Sequence, residues 1–259
     1  MLHNSKHHIR RAKPLLGTIV EISLFSDLVN KETLLSYSEQ AFACIRKVQA
    51  LMSFFDSNSE VSFLNRSLPG EQIDLSPETF TVLKAAEQMY KLSQGAFDIL
   101  CHSRKQYPNA SLVLSENCAI KSDPFLVDLG GIAKGYAVDH AASLLITSGI
   151  SGIINAGGDI KFFGELSFPL TIRAPNFDGN NIEVGTFKNC SVATSAFDLN
   201  TDSICSISVI ADRCMIADAL TKALAHSHKA THKRLLDFYD ADYFELPNNQ
   251  NKHLEEGLG

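Results

Sequence analysis

Two glycine turns bracket a single helical stretch, and no other feature of the chain limits its fold as tightly. The short apolar run Val127–Leu129 reads as a strand and leads into Gly130-Gly131, which opens a helical pattern running to about Thr147. Behind it, Ile150–Asn155 reads as a strand that enters a second turn, Ala156-Gly157-Gly158-Asp159. Glycine permits positive φ and close backbone approach, so the two turns can frame one crevice.

The rest of the chain mixes strand and helix without a strict βαβ rhythm, which favours an α+β fold over a doubly wound parallel sheet. Residues 15–25 are β-branched and apolar and read as a first strand. Leu34, Leu35, Ala41, Phe42, Ile45, Val48, Leu51 and Met52 recur at helical spacing, predicting a long amphipathic helix from Lys31 to about Phe55. Ser76, Pro77 and Glu78 form a helix start with cap, first-turn proline and first-turn acid. Residues 101–125 read as loop with one short strand. Further strands are expected at 160–163, 169–173, 183–187, 190–194 and 204–210, and a helix from Ile216 to Ala225. One domain over 14–247 is expected, with a short extension at 1–13 and a polar tail at 248–259.

Composition narrows the class without naming a function. The 259 residues are 45% hydrophobic and 20% charged, which excludes collagen-like and low-complexity chains. With 23 Lys plus Arg against 29 Asp plus Glu, the net charge is -6, so no general attraction for nucleic acid or an anionic membrane is expected. The six cysteines form neither a CxxC pair nor a zinc-finger pattern, and Cys44 and Cys205 lie in apolar segments that suit buried free thiols. No secretory signal pattern or long apolar run is seen, so a cytoplasmic location is expected.

Three stretches carry chemistry. Asp128-Leu-Gly-Gly-Ile-Ala-Lys-Gly-Tyr-Ala-Val-Asp139 puts glycines and Lys134 at a helix start, a combination that suits a phosphate or pyrophosphate. It is neither a Walker motif nor a dinucleotide GxGxxG, and an ordinary glycine turn with an exposed lysine explains it as well. Asn155-Ala-Gly-Gly-Asp159 reads equally as a hairpin turn or as the second wall of a site. In Ala217-Asp-Ala-Leu-Thr-Lys-Ala223, Thr221 and Lys222 flank the helix face of Asp218. That group is either a surface ion pair or a carboxylate and hydroxyl offered to a hard cation.

A succession of motifs then carries a family resemblance. In order they are Leu16-Gly-Thr18, Met52-Ser-Phe-Phe-Asp with Ser59-Glu-Val-Ser-Phe-Leu-Asn65, Gly95-Ala-Phe-Asp98, the 128–139 stretch, Asn155–Asp159, Val192-Ala-Thr-Ser195 and Ala217-Asp-Ala-Leu. Together, from about residue 14 to 226, they resemble the FAD:protein FMN transferase (ApbE) family. The resemblance implies an α+β, T-fold-related architecture of mixed sheets and packed helices that binds FAD and a divalent cation, usually Mg²⁺. It implies transfer of FMN from FAD to a Thr or Ser hydroxyl of an acceptor flavoprotein, with release of AMP. A relative that binds FAD without transferring FMN is the alternative.

Carried over by position, Met52, Ser53, Glu60 and Asn65 would form the flavin wall. Gly131, Ala133, Lys134 and Gly135 would form the phosphate-side loop, Asp139 a nucleotide-side carboxylate, and Gly157, Gly158 and Asp159 the second glycine loop. Ala133 (through its carbonyl), Asp218 and Thr221 would hold the metal, and Asp218, Lys134 and Lys222 would carry the catalysis. Three departures stand out. The family's metal motif has Thr four residues after the Asp, where this chain has Lys222. Ser195 is followed by Ala196, and the family's later His-x-x-Asp-Pro segment has no counterpart before the next strand. The opening Met-Gly-Thr is Leu16-Gly-Thr18. Lys222 is therefore expected to stand in for part of the metal charge, unless it snorkels to solvent and leaves Thr221 to the cation.

Overall fold

A computed structural model describes residues 6–173, 181–196 and 204–247. The polar tail from Asn248 and the segment Phe197–Ser203, where the His-x-x-Asp-Pro segment was sought, lie outside the described residues. The first strand starts earlier than its apolar run suggests. Strand β1 (His7–Leu15) pairs along its length with β2 (Thr18–Ser26) through the two-residue turn Leu16-Gly17. Most of what reads as an N-terminal extension is thus an edge strand of the main sheet. Its basic, polar residues suit an edge that faces solvent on one side.

Helix α1 (Lys31–Met52) begins at Asn30, whose side chain accepts the Thr33 N–H at 2.9 Å, and ends just before Ser53. It buries Leu34, Ala41, Phe42, Ile45, Val48 and Met52, the stripe expected from the periodicity. Helix α2 (Glu60–Arg66) is capped by Ser59, and α3 (Pro77–Leu92) by Ser76. The 101–125 region holds two strands where one was expected: β4 (Leu112–Ser115) and β5 (Cys118–Lys121) join β3 (Gln72–Asp74) in a small sheet ordered β3-β5-β4. Residues 127–129, expected as a strand, form none.

Helix α4 (Ala133–Ile146) leads to the hairpin of β6 (Ser151–Ala156) and β7 (Asp159–Phe163). A second hairpin, β8 (Phe168–Arg173) with β9 (Asn181–Phe187), precedes β10 (Ser191–Ala196) and β11 (Ile204–Ala211). After α5 (Cys214–His226) come two elements that the sequence reading did not anticipate, α6 (Lys229–Tyr239) and β12 (Asp242–Pro247). The main sheet runs β1-β2-β6-β7-β10-β11-β12, every pairing antiparallel, which confirms the α+β class.

Helices α1, α4 and α5 cover one face of this sheet, with α4 packed between the other two. Alternation along the strands sorts side chains to the two faces: Ile154, Phe163 and Ala193 join the helix-side core, while Phe162 and Val192 join Phe168 and Leu170 beneath the β8–β9 hairpin. The axes of α4 and α5 come very close. A Cβ on Gly135 would lie 2.4 Å from the Cys214 carbonyl oxygen and 2.7 Å from the Met215 Cα, so only glycine fits there. The Asp139 carboxylate, one turn further along α4, accepts the N–H groups of Cys214 (2.8 Å) and Met215 (2.9 Å). Helix α5 has no side-chain cap of its own, and Asp139 supplies one.

Candidate functional site

Four charged side chains meet where α4, α5 and the β6–β7 turn converge. Lys134, in the first turn of α4, pairs with Asp159 at the start of β7 and lies 3.4 Å from Asp218 Oδ2. Lys222, one turn after Asp218 on α5, pairs with Asp218 Oδ1. The Gly135 N–H donates to Asp218 Oδ2 at 3.3 Å. Asp218 is wholly buried and Asp159 nearly so, whereas both lysines are partly open to solvent. A buried carboxylate needs a compensating cation, and each of these has one.

The charges set one another's proton affinities. Burial alone would lower the Lys134 ammonium, but the charges of Asp218 and Asp159 outweigh it and raise its pKa above the ordinary lysine value. Burial, and then the negative charge of Asp218, pushes Asp159 up to about 6 against the pull of Lys134 and Lys222. The two directions are compatible, because Lys134 serves two carboxylates while Asp159 faces a like charge.

The turn beside the cluster depends on its glycines. Gly157 and Gly158 have φ of 66° and 104°, and a Cβ on Gly157 would lie 2.6 Å from Thr18 Oγ1. The Gly158 N–H donates to Asn155 Oδ1 at 2.9 Å, and its carbonyl accepts the Thr194 N–H at 3.2 Å, which fixes the turn against β10.

Two grooves open at the cluster. One, about 680 Å³, is lined by Leu16, Met52, Ser53, Phe54, Phe55 and Lys134 among others. Another, about 700 Å³, is lined by Phe97, Cys101, Gly131, Lys222 and His226 among others. Asp128 and Gly130 belong to both walls, so the grooves adjoin there. Ser53 Oγ accepts the N–H groups of Phe55 (3.3 Å) and Asp56 (3.1 Å), holding a turn that leaves the Phe55 ring 94% exposed. A third groove, between Leu83, Tyr90 and Arg104, lies away from the charged cluster, and Arg104 there is already paired with Asp98.

The sequence profile of the ApbE family matches residues 16–201. The chain belongs to the ApbE family. Among relatives, a Vibrio cholerae FAD:protein FMN transferase is 24% identical, the match covering 82% of this chain and 79% of that protein. A Chlamydia pneumoniae FAD:protein FMN transferase is 28% identical over 156 residues, and this chain spans half of that protein's length. The solved structure of the flavin transferase ApbE from Vibrio cholerae superposes with a TM-score of 0.79 at 20% identity, covering 94% of each chain, a likeness of fold.

Within this ApbE chain, the structure brings together Met52, Ser53, Gly131, Ala133, Lys134, Gly135, Gly157, Gly158, Asp159, Asp218 and Lys222 around the adjoining grooves and their charged cluster. Three residues have other work. Glu60 accepts from the Ser76 N–H (3.0 Å) and Oγ (2.8 Å), tying α2 to the start of α3. Asn65 is spent on the Val127 backbone, donating to its carbonyl (3.0 Å) and accepting its N–H (2.7 Å). Asp139 caps α5. All three are engaged with the protein's own groups, and their reading as ligand contacts stays a proposal.

The expected metal set also meets a different arrangement. Both Asp218 oxygens carry ammonium partners. The Thr221 hydroxyl donates to the Asp218 main-chain carbonyl at 2.7 Å and lies 2.8 Å from Ser195 Oγ. No cluster of three or more His, Cys, Asp or Glu able to hold a metal occurs among the described residues. The donors present do not fit a divalent cation at Asp218. Sequence reasoning passed over Phe54 and Phe55 as groove-lining groups, although two aromatic residues in a turn just after an amphipathic helix were a readable signal.

Proposed function

We propose that this chain transfers the FMN half of FAD to a Thr or Ser hydroxyl of an acceptor flavoprotein, forming a phosphoester and releasing AMP. The observation that carries this reading is a pair of adjoining grooves, one aromatic-edged and reaching Lys134, the other reaching Lys222, with the two lysines converging from separate helices on Asp218. A dinucleotide with a flat ring system and a charged diphosphate has the matching polarity. Family membership and the activity named for its relatives support the same reading. Among the described residues no helix is long and apolar enough to cross a membrane.

In this reading Met52, Phe54 and Phe55 bind and shield the ring system. Lys134 and Lys222 lie against the diphosphate, where negative charge grows on the departing AMP phosphate as the acceptor oxygen bonds to the FMN phosphorus. Fixed positive charge in a partly dry site stabilises that change without reorganisation. Asp159 and Asp218 hold the two ammoniums in place.

The test is incubation of the purified protein with FAD and a flavoprotein acceptor, with AMP release and covalent flavin on the acceptor both measured. Equimolar AMP and flavinylated acceptor are expected. FAD bound tightly with neither product would identify a flavin-binding relative instead, and absence of FAD binding would reject both.

A further inference from the structure

We propose that the Lys222 ammonium occupies the place of a divalent cation in this chain, so that the diphosphate of a dinucleotide is held by Lys134 and Lys222 without metal. The proposal rests on the flavin reading above and specifies how its phosphate subsite works.

The geometry of Asp218 carries it. This carboxylate is wholly buried on α5, a helix whose residues from Cys214 to Thr221 are all buried, so it must be neutralised from within the site. Lys134 and Lys222 do so, one at each oxygen. A dication arriving at Asp218 would have to displace an ammonium tethered four residues away on the same helix. It would also sit beside a second ammonium, that of Lys134. Both effects oppose its entry.

The position of Lys222 is built rather than incidental. Its stem lies over Gly131: a Cβ there would be 3.7 Å from Lys222 Cγ and 3.3 Å from the Phe97 ring. The alternative, in which the lysine swings to solvent and Thr221 turns to a cation, is not the arrangement observed, since the Thr221 hydroxyl is engaged with Ser195 and its own helix. An ammonium has three N–H donors and Asp218 Oδ1 takes one, while the Lys222 side chain stays 26% exposed in the wall of the groove. A phosphate oxygen can approach from that side. Two lysines and two carboxylates leave the cluster neutral before ligand arrives, so a diphosphate meets preplaced donors without strong repulsion.

Calorimetric titration of FAD into the intact protein, in Mg²⁺ and in EDTA, tests this. The two dissociation constants should agree within about twofold, and Mn²⁺ alone should give no bound signal by electron paramagnetic resonance. Lys222→Met should weaken FAD about tenfold or more in both buffers, while riboflavin, which lacks the diphosphate, should change little. Lys222→Thr should make FAD binding depend on Mg²⁺. A tenfold or larger Mg²⁺ requirement in the native protein, or stoichiometric Mn²⁺ binding to it, would overturn the proposal while leaving the flavin reading standing. Failure of FAD to bind in either buffer would instead sink the flavin reading itself.

Discussion

The Asn65 side-chain amide pairs with both backbone polar groups of Val127, closing a ring of two hydrogen bonds at 3.0 and 2.7 Å. Val127 is wholly buried in a segment that pairs with no strand, so its N–H and carbonyl depend on this one side chain. The pair fixes the entry to the Asp128–Gly131 loop and hence the start of α4, where Lys134 stands. Asn65→Ala should therefore destabilise the protein by about 2–4 kcal/mol, the cost of two unmet buried groups. Calorimetric unfolding would read this, and an unchanged melting temperature would show the pairing to be dispensable.

The close contact of α4 and α5 makes a second prediction. Gly135→Ala would put a methyl 2.4 Å from a backbone oxygen on the neighbouring helix, and backbone cannot yield as a flexible side chain can. The helices would have to separate, at a cost of about 3 kcal/mol or more. The variant should express poorly or unfold well below the native temperature. If it folds, the shift of α5 should also lower FAD affinity.

Much of this architecture was legible in the sequence, for physical reasons. Ser76-Pro77-Glu78 is a local cap and α3 starts there; the stripe from Leu34 to Met52 reports one buried helix face. The two glycine turns do come together at one charged cluster, where Lys134 at the start of α4 pairs with Asp159 at the start of β7. What was hidden depends on distant partners. The basic His7–Arg11 is strand only because β2 pairs with it, and β12, with Asp242 and Glu245, only because β11 does. Likewise Glu60, Asn65 and Asp139 look like site polar groups in sequence, yet Glu60 is taken up by the N–H and hydroxyl of Ser76, and Asn65 and Asp139 by backbone atoms 62 or more residues away. Asp218 had a local signal: an acid amid Met215, Ile216, Ala217, Ala219 and Leu220 belongs to a helix apolar all round, which is buried.

Asp139 offers a test of the cap supplied from outside its own helix. Asp139→Ala leaves two N–H groups at the start of α5 without acceptors and should cost about 1–2 kcal/mol. Asp139→Asn keeps one acceptor oxygen and should lose less. Thermal unfolding of both variants checks the ranking. Equal loss in the two would mean that charge, rather than the cap, is what α5 requires.

The cluster also fixes a pH dependence. Burial and the Asp218 charge raise the Asp159 pKa to about 6, above its unfolded value near 3.8, so between those values the folded protein binds the proton more tightly than the unfolded chain. The contribution of this group to stability is therefore fully present below about pH 4 and is lost as the pH rises through about 6. For Lys134 the raised pKa works at the other end: its contribution holds below the ordinary lysine pKa and is lost in strong alkali. Asp159→Asn should remove the decline between pH 4 and 6. Denaturant midpoints across that window, native against variant, would show it, and parallel curves would count against the assignment.

Removing Lys134 separates the diphosphate from the ring system. Its ammonium stands in the wall of the aromatic-edged groove, and FAD carries a diphosphate that riboflavin lacks. A charge-assisted hydrogen bond is worth about 1.5–3 kcal/mol, or roughly 10- to 100-fold in affinity. Lys134→Ala should weaken FAD by that factor and riboflavin far less, because the walls made by Met52, Phe54 and Phe55 remain. Loss of the ammonium also leaves Asp159 buried without its partner, so its carboxyl should take up a proton near neutral pH and some stability should be lost. Fluorescence titrations with both flavins, below the melting temperature of the variant, distinguish the two effects. Equal weakening of FAD and riboflavin would mean that the substitution had collapsed the groove, and that Lys134 does not act on the diphosphate.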